Sequence, residues 1–141
     1  MKKFEVVLGL GMAAAICAIP AWAHHSFAAE YDSAAPVTLK GTVVEMEWVN
    51  PHSWLHIEVK DADGKVTAWT CETAPPNTLY RQGWRRSSLK KGDEVTVEGF
   101  RAKDKSATMS ARSVVGPDGK RMLAGTNTDG APSADKSGDK K

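Results

Sequence analysis

Residues 37–49 read VTLKGTVVEMEWV. Val37, Leu39, Gly41 and Val43 alternate with Thr38, Lys40 and Thr42. A period of two marks a strand with one buried face. Val43-Val44 breaks the alternation just after Gly41, which predicts a bend or bulge. Asn50-Pro51 signals a turn. A second strand follows at 53–60, with Leu55, Ile57 and Val59 on one face and Trp54, His56 and Glu58 on the other. Asp61-Ala62-Asp63-Gly64 closes a hairpin onto a third strand at 65–72.

The hairpin register decides which side chains of the third strand are buried. A three-residue loop with Gly64 left-handed is a favoured geometry. It pairs Asp61 with Lys65, Ile57 with Trp69 and Leu55 with Cys71. Trp69 and Cys71 then face the core. A four-residue loop reverses them. The first choice buries the bulkier groups.

Beyond it, Pro75-Pro76 and Gly83 bracket about two turns of helix. Leu89–Asp93 is a tight turn. Residues 94–100 make a fourth strand with Val95 and Val97 inward and Gly99 as a bend. Residues 107–115 make a fifth. Gly116-Pro117-Asp118-Gly119 turns again, and 120–123 add a short last strand. Three strands, a short helix and two or three more strands are the plan of the OB-fold, a five-stranded, partly open barrel. The expected class is all-β: a five- to six-stranded OB-like barrel with one short helix between strands three and four. A β-sandwich and a meander barrel remain alternatives.

The ends differ in kind from this core. Lys2 and Lys3 precede an apolar run from Val6 to Ile19, and Pro20 and Ala21-Trp22-Ala23 follow. This is the three-part pattern of a secretory signal cleaved after Ala23. The run is too short to span a bilayer, which takes about 20 residues. The expectation is a periplasmic or secreted protein beginning at His24. Cys17 leaves with the signal, so Cys71 stands alone and no intramolecular disulfide forms. Loss of Lys2, Lys3 and Glu5 lowers the formal charge of +2 by one. So small a charge argues against a nucleic-acid partner. Residues 24–36 read as an N-terminal arm and 37–124 as the barrel. Residues 125–141 hold no large apolar side chain and read as a disordered tail.

Taken together, several segments resemble a known family. They are His24-His25-Ser26-Phe27 with Tyr31-Asp32, Gly41-Thr-Val, and Trp48-Val49-Asn50-Pro51-His52. Trp69, Glu72, Pro76, Leu79 with Arg81, Gly83-Trp84 and Gly92-Asp93-x-Val95-x-Val97-x-Gly99 complete the set. The chain is similar in these to the small exported bacterial proteins of domain-of-unknown-function family 6152 (DUF6152). The resemblance implies an exported small β domain. It brings no reaction, substrate or cofactor.

The residues themselves offer three functional readings. Trp48 and Trp54 flank Asn50-Pro51-His52, the loop between strands one and two, a usual lip of the OB binding face. Trp48, Asn50, His52 and Trp54 would make a stacking platform for a planar or sugar-like small ligand. The plainer reading makes each tryptophan core filler. The second reading is a metal site. A terminal His24 offers its amine and its ring nitrogen, a set that suits copper(II), with His25, His52 or His56 completing it. Against it, His52 and His56 on a strand would sit about 13 Å apart. The third reading is an envelope-protein partner that meets the Trp48/Trp54 lip.

Arg81, Arg85, Arg86, Lys90 and Lys91 form a basic cluster that would suit an anionic partner or a lipid headgroup, although the near-neutral charge favours a solvated face. Glu72 is expected to pair with Arg81 or to cap the helix. Cys71 is expected to be buried and inert. No nucleophile elbow, phosphate loop or paired-carboxylate motif is present, so no enzymatic activity is expected.

Overall fold

The computed structural model describes residues 27–125. The signal segment, His24 and His25, and the tail beyond Gly125 lie outside the described residues. Eight elements follow one another: α1 (Phe27–Glu30), β1 (Tyr31–Glu47), β2 (Trp54–Lys60), β3 (Val66–Glu72), α2 (Pro76–Arg81), β4 (Glu94–Ala102), β5 (Thr108–Val115) and β6 (Arg121–Leu123). The strands form one six-stranded sheet in the order β3-β2-β1-β4-β5-β6. Every pairing is antiparallel except that of β3 with β5, which is parallel. Because β3 also meets β5, the pairings β1-β2-β3-β5-β4 return to β1.

β1 makes this return possible by serving two partners. Its residues Pro36–Thr42 pair with β4, and Thr42–Glu47 pair with β2. The register slips between Val43 and Glu45, at the break in alternation that the sequence shows. Val43 is buried there and Val44 is turned outward. At Gly41 a Cβ would come within 2.7 Å of the Glu58 carbonyl oxygen, so the strand can cross to its second partner only without a side chain.

The hairpin of β2 and β3 takes the three-residue loop. Asp61 N–H donates to the Lys65 carbonyl at 2.9 Å, and Gly64 has φ of 82°. Ile57 pairs with Trp69 and Leu55 with Cys71. Cys71 is wholly buried, while Trp69 packs half-buried against the core with the Arg101 guanidinium 5.5 Å from its ring. Leu39, Val43, Leu55, Ile57, Val95, Val97, Met109 and Val114 fill the interior. α2 follows Pro75 and ends ahead of Gly83, whose φ is 95°. It lays Leu79 into the core, and Trp84 is buried behind it.

Two expectations need correction. The helix between the third and fourth strands is joined by a second, α1, of four residues. The stretch 24–36 is also not simply an arm, since β1 starts at Tyr31, six residues before the alternating pattern does. Its anchors are aromatic. The Phe27 ring stacks on Tyr31 and meets Phe100 edge-on, each at 5.6 Å between centroids. Asp32 accepts the Ala34 N–H at 2.8 Å, and the ladder to β4 is interrupted between Tyr31 and Pro36. That local turn hides the strand from a search for a period of two.

Candidate functional site

Glu72 ends β3 and pairs with Trp54, the first residue of β2. Its carboxylate is shared between two partners. Oε2 accepts the Tyr31 hydroxyl, and Oε1 lies 3.2 Å from Nδ1 of His52. The Glu72 side chain is 14% exposed and that of His52 35%. Three elements that are distant in sequence thus meet on one carboxylate: the start of β1, the turn before β2 and the end of β3. Burial, and then the hydrogen bond and charge of Glu72, hold the Tyr31 phenol well above its ordinary range. It remains a donor at any physiological pH.

Glu72 was expected beside Arg81 or at the start of α2, and it is at neither. Pro75 precedes α2 with no side-chain cap, and Arg81 Nε donates to the Asn77 carbonyl at 3.2 Å. One signal in the sequence points to the true arrangement. The register that pairs Ile57 with Trp69 also sets Glu72 opposite Trp54, two residues after His52.

Beside this cluster lies an open cleft of about 470 Å³. Tyr31 and Trp54 form part of its wall, and Lys103, Asp104, Ser106 and Thr108 form another part. The loop between β4 and β5 is pinned to the start of the described chain. Lys103 N–H donates to the Glu30 carbonyl at 2.9 Å, and its ammonium donates to the Ala28 carbonyl. Lys105 takes a left-handed φ of 64°, and Arg101 Nη2 donates to its carbonyl. Hydrogen bonds from Ser106 hold the Asp104 carboxyl below its ordinary value.

The four residues expected to form a ligand platform divide. Trp54 lines the cleft, and His52 lies one carboxylate away from it. Asn50 is exposed, after which the Asn50–Pro51 peptide is cis. Trp48 belongs to another cluster, 5.3 Å from the Tyr80 ring and 6.5 Å from Trp84. The histidines divide as well. His56 Nε2 is 3.5 Å from Oε1 of Glu47, and its Nδ1 is 3.4 Å from the Thr70 hydroxyl. The Nε2–Glu47 approach is an ion-pair distance without hydrogen-bond alignment, because that buried nitrogen has no hydrogen-bond partner. His52 and His56 therefore rest on different carboxylates. Among the described residues no three His, Cys, Asp or Glu side chains are gathered to hold a metal ion. Burial pushes the Cys71 thiol up to about 12, so it stays protonated at neutral pH.

This geometry defines a small, mostly antiparallel β domain with a cleft beside a shared, partly buried carboxylate. The chain belongs to DUF6152, a family of unknown function, whose model matches residues 13–111. No curated protein matches it. Among solved structures, it shows 25% identity to the one described as "Crystal structure of the ZRD-deleted mutant of TiaS in complex with agmatine". The likeness covers 56% of this chain and 20% of that one, at a TM-score of 0.42. The chain thus spans about one fifth of that protein. No helix among the described residues is long and apolar enough to cross a membrane.

Proposed function

We propose that this protein is an exported, non-enzymatic binding domain that takes a small polar ligand with a ring face into the Tyr31–Trp54 cleft. The observation that carries this is the shared carboxylate. Glu72 fixes Tyr31 and His52 beside a cleft with a tryptophan wall, so the polar and aromatic groups are held in place before any ligand arrives. Pre-ordered groups bind more tightly because their ordering cost is already met. The return of the strand pairings to β1 supports reading the sheet as an OB-like barrel. In such barrels the loops after strands one and four frame the binding face, and here the chain segments around those two loops border the cleft. The N-terminal pattern of Lys2, Lys3 and the run to Ala23 supports a periplasmic or secreted location.

The test is nuclear magnetic resonance of the chain from His24 onward, titrated with a panel of mono- and disaccharides. A binder should shift the Trp54 indole and the amides of 103–108. Trp54→Ala should weaken it roughly tenfold, the scale of one lost aromatic contact. Shifts confined to other surfaces, or affinity unchanged in Trp54→Ala, would count against the cleft.

A specific feature favours metal binding as a second reading. A ligating histidine usually gives its other ring nitrogen to a carboxylate, which fixes its orientation. His52 Nδ1 faces Glu72 in this way, and its Nε2 takes no hydrogen bond from the described residues. His56 has both nitrogens close to other groups. If copper joins His24 and His25 at a cleaved terminus, His52 is the third ligand. His52→Ala should then weaken copper binding and His56→Ala should not. An extra residue ahead of His24 should weaken it too, and equal affinity there would remove the terminal-amine mechanism.

A further inference from the structure

Residues 76–92 carry five cations, Arg81, Arg85, Arg86, Lys90 and Lys91, and no carboxylate. All five are exposed, and none forms an ion pair with another described residue. Two of them are braced by aromatic rings. The Arg85 guanidinium lies 5.8 Å from the Tyr80 ring centre, and that of Arg86 lies 5.7 Å from the Trp48 ring centre. The two rings are 5.3 Å apart. Arg85 Nη1 also donates to the Trp84 and Tyr80 carbonyls at 2.6 and 3.2 Å. Rings and guanidiniums therefore make one continuous plate. Its apolar parts reach solvent: Tyr80 is 39% exposed and Val49, next to Trp48, is 45% exposed.

This pairing of groups is selective. A guanidinium held on a ring keeps a planar fork of N–H donors that matches phosphate oxygens. Tyrosine and tryptophan beside such cations have an apolar body for the acyl boundary and a polar edge for the headgroups. We propose that this plate seats the protein on an anionic phospholipid surface, with Arg85 and Arg86 on headgroup phosphates and Tyr80 and Val49 at headgroup depth. Charge distribution favours a bilayer over a soluble polyanion. The whole chain has a formal charge of only +2, so the surface away from the plate is not basic. A bilayer meets one face alone and is not opposed by acidic groups elsewhere, whereas a flexible polyanion would wrap onto them. The proposal is independent of the cleft.

The experiment is co-sedimentation of the chain from His24 onward, which holds the whole described fold and lacks the apolar run at 6–19. Vesicles of phosphatidylglycerol should bring the protein down, and vesicles of phosphatidylcholine should not. Binding should weaken as salt is raised. Arg85→Gln with Arg86→Gln should lower the partition coefficient roughly thirtyfold, about fivefold for each charge removed. Arg86→Gln alone leaves Arg85 on its carbonyls and should give about fivefold, with the thermal midpoint unchanged. Lys60→Gln with Lys65→Gln removes two charges at the β2–β3 hairpin and should change binding by less than about twofold. Equal binding to both vesicle types overturns the proposal, as does equal loss in the two double variants. Retention on heparin that depends on Arg85 and Arg86, without sedimentation, would assign the plate to a soluble polyanion instead.

Discussion

Trp84→Ala should lower the thermal midpoint by roughly 10–20 °C, about 3–5 kcal/mol of stability. Trp84 is 0% exposed and is the largest fully buried side chain. Its indole N–H donates to the Leu123 carbonyl at 2.6 Å, and its ring meets Trp48 edge-on. The truncation removes apolar contact, opens a cavity and leaves a part-buried carbonyl without its donor. A domain of this size has only about 5–15 kcal/mol in total, so the variant should sit near the edge of folding. Scanning calorimetry decides the matter. Trp54→Ala is the comparison, because Trp54 is half-exposed at the cleft. If both variants melt alike, Trp84 does not have the central packing role given to it.

Gly99→Ala should be nearly as costly, at about 3 kcal/mol or more. A Cβ on Gly99 would lie 1.9 Å from the Ser110 carbonyl oxygen, 2.9 Å from its carbon and 2.8 Å from Cε of Met109. Backbone cannot rotate out of the way as a side-chain end can. β4 and β5 would have to separate where their register already slips, between Glu98 and Gly99. Gly92→Ala is the control. Gly92 has a φ of 91°, but nothing lies within 4 Å of its missing Cβ. Only the left-handed conformation is penalised there, by about 1–2 kcal/mol. Urea midpoints should therefore fall further for Gly99→Ala than for Gly92→Ala. The reverse order would refute the close-approach argument.

Most of the strand plan could be read from the sequence because burial on one face writes a period of two. The pattern of Leu55, Ile57 and Val59 and the left-handed Gly64 together set the β2–β3 register. The break at Val43-Val44 marked the bulge. The start of β1 could not be read this way. Phe27, Tyr31 and Phe100 anchor it by stacking, and stacking leaves no periodic trace.

The cluster on Glu72 was hidden for a related reason. Tyr31 and Glu72 are 41 residues apart, and only the finished sheet brings them together. The tryptophan lip failed as a unit because Trp48 and Trp54 lie on opposite sides of a turn. Trp48 packs on the Tyr80 ring, and Trp54 lines the cleft along with Tyr31. The basic cluster was visible as composition, but its bracing by Tyr80 and Trp48 was not. Ring contacts of that kind are made between elements.

The hydrogen bonds around Trp84 also show how the last described residues are held to an earlier segment. Leu123, Ala124 and Gly125 each present a carbonyl to an earlier segment: to the Trp84 indole, to the Ala74 N–H at 2.7 Å, and to the Gln82 amide at 3.1 Å. The last described residues are therefore tied down by their acceptors. A truncation placed after Gly125 keeps all three. One placed before Leu123 would strand donors from the 74–84 segment, two of them on the wholly buried Ala74 and Trp84, at about 1–3 kcal/mol for each buried group left unpaired. Any trimming for crystallisation or fusion must keep residues 123–125.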